Sequence, residues 1–332
     1  MALSMLEAIR DIDDKANITW VCASTVASLL QSLNCVHELI VVDEHRLFGK
    51  QGVLPAVYEL AKVCVALMGR SYDLVVTGHR DYRLRLLSST VRCAERRSFG
   101  SSWPVPGRYY GDEHVRLITG TDGPASKHAR LPVVELPLCR SLDTALRGIQ
   151  LPLIALAPGG AKNVLRDQPL KRWPLSLYVE LASRARALGW GVVITGTASE
   201  EWVCAPFREL AALDLVGKTS LVDLVAVYNR CSAVVTHDSG PMHLAALAGT
   251  PLVALFGPTD PAWFAARRNN VRVLWGGSEL ACRPCYDGRD YARCPDNLCM
   301  RSITVEAVVD ALSELVRFGN RRQPGVESSH PA

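Results

Sequence analysis

Asp238, Ser239, Gly240 and His243 fall within one short turn, "HDSGPMH". An apolar strand precedes it, and a second polar turn, "FGPTDP", follows one helix and one strand later. Gly240 lets the backbone approach a ligand closely, and the proline after it suits the first turn of a helix. Free N–H groups at such a helix start, together with the helix dipole, make an anion site suited to phosphate. Ser239 and His243 could add donors, while Asp238 either fixes the turn or faces a sugar hydroxyl. An ordinary strand-to-helix turn with Asp as its cap would read the same way. Gly159 and Gly160 in "APGG" end another strand, and Lys171 and Arg172 in "LKRWP" could close over a diphosphate as a cationic clamp or lie as a solvated basic loop. In "ITGTASEE", Glu200 or Glu201 follows a strand and a glycine, where a carboxylate can meet a ribose or a base.

These turns need a scaffold that brings strand ends together. The sequence has 332 residues, 48% of them apolar, and a net charge of +4, which suits two soluble domains and by itself excludes no partner but calls for no nucleic acid. Short continuous apolar runs alternate with helix-like stretches, the pattern of parallel strands covered on both faces. The first half reads as "ITWVCA", "ELIVVD" and "DLVVTG" with helices between, then loosens from Ser98 to Gln150. The alternation restarts at "LIALAPGG" and closes with the helix "TVEAVVDALSELVRF", with Thr304 as its N-cap. "SEEWVCAPFREL" reads as one of the helices. The expected division is 1–150, 151–318 and a polar, disordered tail at 319–332. Two doubly wound units would face each other, with ligands outside the carboxyl ends of their strands. The two polar turns then line one cleft.

Four cysteines are clustered in "CRPCYDGRDYARCPDNLC": Cys282, Cys285, Cys294 and Cys299. Four thiolates on a short excursion can hold one structural tetrahedral zinc or iron, and the sequence does not choose between the metals. A reduced loop or a pair of disulfides would fit as well. The cluster follows the last strand and precedes the closing helix, so it could steady that helix without touching the cleft. The other seven cysteines are scattered, several in apolar segments, as in a reducing compartment. The apolar runs are too short for a membrane helix and the N-terminus does not look like a signal peptide, which makes cytoplasm the expectation. Arg80, Arg83, Arg85, Arg92, Arg96, Arg97 and Arg108 form a basic stretch that could meet an anionic acceptor or lipid headgroups, or be a solvated helix face.

"DSGPMHLAALAGTPLVALFGPTDP", with "PGG…LKRWP" and "GTASEE" ahead of it, resembles the heptosyltransferase family of lipopolysaccharide synthesis, glycosyltransferase family nine. The resemblance is strong from Leu153 to Arg317 and rests on alternation alone before that. It implies a GT-B fold, two Rossmann-like domains around a nucleotide-sugar cleft. It implies inverting transfer of heptose from an ADP-linked donor to an anionic glycolipid acceptor, with peripheral contact at the inner membrane and no organic cofactor. Lys171, Ser239, Gly240 and His243 would hold the diphosphate, with Gly159 and Gly160 beside it. Glu200 would face the adenosine and Asp238 the donor sugar. Some relatives have a similar cysteine-rich insertion. Family members open with a strand and a Gly-Asp turn whose Asp is the proposed general base, and Met1 here falls where the next helix would begin. The first strand is expected to lie upstream. Within the sequence, Asp81 and Asp43, near strand ends, are the candidates for the base. A nucleotide-sugar epimerase, or a nucleotide-sugar-binding protein without turnover, are the alternatives.

Overall fold

A computed structural model describes residues 1–48, 52–99, 107–120, 129, 131–162, 166–288 and 290–320. The first half runs α1 (Ser4–Ile12), β1 (Thr19–Ala23), α2 (Ser24–Leu33), β2 (Glu38–Val42), α3 (Glu44–Phe48), α4 (Val53–Leu67), β3 (Ser71–Thr77), α5 (Tyr82–Ser89), β4 (Arg92–Ser98), α6 (Tyr110–Thr119) and α7 (Arg140–Leu146). The second half runs β5 (Leu153–Ala157), α8 (Leu175–Ala187), β6 (Gly191–Ile194), β7 (Leu213–Asp214), α9 (Leu221–Arg230), β8 (Ala233–His237), α10 (Gly240–Ala248), β9 (Leu252–Phe256), α11 (Pro261–Phe264), β10 (Val271–Trp275), α12 (Leu298–Arg301) and α13 (Val305–Asn320).

The second half is one six-stranded sheet of order β10-β9-β8-β5-β6-β7, parallel throughout. The central strands are all apolar because helices cover both faces. Every residue of β5, β8 and β9 is buried. Two cores flank the sheet. Trp173, Tyr178, Phe207 and Leu312 anchor one, and Tyr228, Met242 and Phe256 the other. Thr304 caps α13, its hydroxyl accepting the Ala307 N–H at 3.2 Å.

The first half differs from the expectation of a single sheet. Its strands form two separate parallel pairs, β1 with β2 and β3 with β4. Helix packing and small clusters join the pairs. Met5 and Ala8 of α1, Val115 and Ile118 of α6, Trp20 of β1 and Val76 of β3 make one of these clusters. The segment leading to β5 lies on the second half. Val134 donates to Leu247 O at 2.9 Å, and Asn229 Nδ2 donates to Val134 O at 3.0 Å and to Ala248 O at 2.9 Å. Leu136, Leu138, Leu142, Leu146 and Ile149 pack into the second-half core, although the pattern had assigned 1–150 to the first unit. "SEEWVCAPFREL" forms two 3₁₀ segments, Ala198–Val203 and Ala205–Leu210, where one helix was expected. Pro206 cannot donate its backbone nitrogen and breaks the run. Of the expected tail, residues 321–332 lie outside the described ones.

Candidate functional site

Three strands end side by side at β6, β5 and β8, and their turns meet. β5 leads into Gly159 and Gly160. Gly160 has φ +82°, a conformation that side chains rarely adopt, and a Cβ there would lie 2.9 Å from Ser239 Oγ. A Cβ on Gly159 would come within 2.6 Å of the Glu200 carboxyl carbon. Both glycines are therefore set by close packing of one turn on the next. Glu200 braces that contact from beneath. Its carboxylate accepts the N–H of Gly160 and, at 2.8 Å, the N–H of Thr197 in a capping box.

The β8 turn carries the central group. Ser239 is the N-cap residue of α10, and its hydroxyl donates to His237 O at 3.2 Å. A Cβ on Gly240 would meet nothing within 4 Å, so the first turn of α10 opens onto free space. Asp238 accepts from Lys171 Nζ at 2.8 Å and from the Thr259 hydroxyl, also at 2.8 Å, both on Oδ2. Thr259 belongs to "FGPTDP", the turn after β9, so the two turns read from sequence are tied through one carboxylate. Lys171 uses one of three N–H donors on Asp238 and sits 5.6 Å from the Phe264 ring centroid. A helix start, a lysine with donors to spare and an open turn can bind a diphosphate.

Burial holds His243 neutral, with a pKa pushed down to about 3. Its Nδ1 is sealed from solvent without a partner among the described residues. His237 is likewise pushed down to about 3 by burial, and its Nδ1 meets the Tyr178 hydroxyl at 3.3 Å. Arg172 does not extend the clamp expected of it. Its Nε donates to Gly160 O at 3.0 Å and its Nη2 to Asp167 at 2.6 Å, so it fastens the glycine turn.

The two candidate bases stand elsewhere. Asp81 caps α5, accepting the Arg83 N–H at 2.9 Å, and it also holds the Arg83 guanidinium through both oxygens. Those hydrogen bonds hold its carboxyl below the usual range. Asp43 accepts the N–H groups of His45 and Arg46 and pairs with Arg46 at 3.5 Å. Each is a turn residue with its oxygens already engaged. The basic stretch is also largely committed within the chain. Arg96 donates to Val91 O, Arg97 pairs with Glu95, and Arg108 pairs with Glu113.

The cysteine excursion is placed differently from expectation. Among the described residues no three His, Cys, Asp or Glu side chains are arranged as a metal site, although the Cys299 thiol, raised first by burial, has Cys282, Cys285 and Cys294 near enough for their charges to raise it further. Cys282 is exposed while Cys299 is buried in the core below, its thiol 3.7 Å from Asn297 Oδ1. Nor does the excursion stay clear of the cleft. Its backbone docks on the β9 turn, with Cys285 N and Tyr286 N donating to Pro258 O at 3.0 and 3.1 Å. Asp290 reaches Arg166 at 3.1 Å, and Gly288 O accepts from Arg80 of the first half at 3.4 Å.

Parallel strand ends, a glycine turn and an open helix start on a doubly wound sheet are the arrangement of one half of a GT-B fold. Residues 134–294, just under half of the chain, match the model of glycosyltransferase family 9 (heptosyltransferase). The chain is similar to lipooligosaccharide heptosyltransferase 2 of Haemophilus influenzae, 39% identical over 139 residues, 40% of this chain and 38% of that protein. The chain thus spans well under half the length of that relative. Against lipopolysaccharide heptosyltransferase 3 of Escherichia coli the identity is 26%, over 70% of this chain and 72% of that one. The fold follows the E. coli ADP-heptose lps heptosyltransferase II with a TM-score of 0.69 at 21% identity, covering 96% and 95% of the two chains. It follows the glycosyl transferase family 9 protein of Veillonella parvula with a TM-score of 0.73 at 22% identity, covering 96% and 93%.

Proposed function

We propose that this protein is an inverting glycosyltransferase that moves a heptose from ADP-heptose to a glycolipid acceptor of the lipopolysaccharide-core type. The observation that carries this reading is the Lys171–Asp238–Thr259 group at the open start of α10, beside the Gly159–Gly160 turn. It offers cationic and backbone donors to a diphosphate and a carboxylate to the sugar, and it lies in the segment that matches the family. The relatives named for heptose transfer support the donor and the acceptor class. Among the described residues no helix is long and apolar enough to cross a membrane. Contact with the inner membrane on its cytoplasmic face, as a peripheral protein, belongs to this proposal.

Transfer requires a base to take the acceptor proton as the new bond forms. Asp81 and Asp43 are engaged as turn residues, and neither is assigned that part. The second reading is a protein that binds the nucleotide sugar without turnover, and it rests on Asp81 and Asp43 both being engaged as turn residues. One experiment separates the two. The purified chain is mixed with ADP-heptose and a heptose-deficient core glycolipid, and ADP release is followed beside the acceptor's mass. A gain of one heptose on the acceptor supports transfer. Tight ADP-heptose binding with no mass gain leaves the binding reading. No affinity for ADP or ADP-heptose overturns both.

A further inference from the structure

Two tyrosines of the cysteine excursion are paired across a turn. Tyr286 and Tyr291 form an antiparallel bridge, and Asp287 N donates to Asp290 O at 3.2 Å across the turn. Residues directly opposed in such a bridge send their side chains to the same face. The two rings accordingly lie 4.7 Å apart, tilted by 31°. The pair stands on Pro258, so its position is fixed relative to the β9 turn. Tyr286 also meets Phe264 at 6.2 Å and Trp263 at 6.1 Å. Phe264 in turn carries Lys171 Nζ at 5.6 Å, and Lys171 is the partner of Asp238. A continuous line of contacts therefore runs from the Asp238 carboxylate to a pair of partly exposed tyrosines. The charge of Asp238 reaches both phenols, which are raised first by burial and further by that carboxylate.

The order of the strands says which end of a nucleotide sugar lies here. A diphosphate at the start of α10 sits at the end of β8. β5 and β6 lie on one side of β8, and β9 lies on the other. On the nucleotide-sugar reading the nucleoside is assigned to the β6 turn, which presents the Thr197 and Ser199 hydroxyls. The sugar then falls on the β9 side, against the tyrosine pair. A pyranose presents a face of C–H groups and a rim of hydroxyls. Aromatic rings with polar tips fit both.

We propose that Phe264, Tyr286 and Tyr291 form an aromatic wall that stacks on the sugar ring of the donor, so that the cysteine excursion is part of the substrate site. The proposal rests on the nucleotide-sugar reading above. It makes the excursion a source of selectivity for the sugar and leaves affinity for the nucleotide to the α10 side.

Calorimetry with ADP and with ADP-heptose tests it on the full chain. The wild-type protein should bind ADP-heptose about fivefold or more tightly than ADP, the scale of one lost or gained aromatic contact. Tyr286→Ala and Tyr291→Ala should each erase most of that difference and leave ADP affinity within about twofold. Tyr286→Phe, which keeps the ring face, should retain it. Unchanged ADP binding also shows that the variants are folded. Should the alanine variants fail to fold, the comparison of the two ligands on wild-type protein and on Tyr286→Phe decides. Equal affinities for ADP and ADP-heptose on wild-type protein overturn the wall while leaving the nucleotide site intact. An alanine variant that loses ADP and ADP-heptose equally places the ring against the nucleobase and also overturns it. No binding of either ligand to wild-type protein removes the functional reading itself, and the wall with it.

Discussion

The Lys171–Asp238 pair should behave as a unit, and a double-mutant cycle can show it. The two atoms are 2.8 Å apart, and the side chains are only 15% and 6% exposed. Removing one member of a buried ion pair typically costs about 3–5 kcal/mol, because the other charge is left without compensation. Two features reduce that figure here. Thr259 still donates to Asp238, and Lys171 keeps some contact with water. Lys171→Met should therefore destabilise the chain by about 2–3 kcal/mol, read as a lower urea midpoint. Asp238→Asn keeps an acceptor for Thr259 and should cost somewhat less. The double variant should cost less than the sum of the two, with a coupling of about 1–2 kcal/mol. In the same proteins, Lys171→Met should weaken ADP binding about tenfold to a hundredfold, the worth of a charge-assisted hydrogen bond. Strictly additive stabilities would refute the pairing. Unchanged ADP affinity would refute the phosphate role.

Three histidines with desolvated rings make a prediction about pH. His237 and His243, pushed down to about 3, and His114, pushed down to about 4, take up protons in the unfolded chain near pH 6.5 but not in the folded one. Unfolding then binds protons, so stability falls as pH drops from about 6.5 toward 4, by up to about 1.4 kcal/mol per pH unit for each histidine. Urea midpoints at stepped pH check this, and a flat profile over that range would refute it. Gly160→Ala forces a side chain into a left-handed conformation 2.9 Å from Ser239 Oγ, and should cost at least about 1 kcal/mol and reduce ADP affinity. Thermal unfolding beside calorimetry reads both, and an unperturbed variant would show that the turn yields. A structural zinc or iron at the four cysteines requires the excursion to gather them more closely than it does here. Elemental analysis of protein purified without chelator should then find close to one metal ion per chain, and four freely reactive thiols without metal would refute the site.

The second half was legible because its strands are buried on both faces and read as unbroken apolar runs. "LIALA", "AVVTH" and "LVALF" each appear as strands where the sequence places them. The residues that meet at the site were also legible by type, from glycines at strand ends and a lysine in a polar loop. Their pairing was not. Nothing local announces that Lys171 spends a hydrogen bond on Asp238, or that Arg172 fastens Gly160, since both contacts form only when the sheet is assembled. β4, "RCAERRS", was missed because it is an outer strand with most side chains in solvent, so its sequence reads as a charged patch. The tyrosine pair carried a usable signal. An Asp-Gly turn between two tyrosines is a hairpin pattern, but the cysteines around it drew the reading toward metal.

The two halves of the molecule differ in how their sheets are closed, and the difference sets where the chain is mechanically soft. Two-stranded sheets are marginal without help, whereas a sheet of six strands with interior members wholly enclosed must open as a whole. The β1–β2 and β3–β4 pairs should accordingly breathe independently of the second half and exchange their amide protons first, while the amides of β5, β8 and β9 exchange last. The half that carries the Lys171–Asp238 pair is then a rigid anvil. The first half is the compliant side, a surface that can mould itself to a guest.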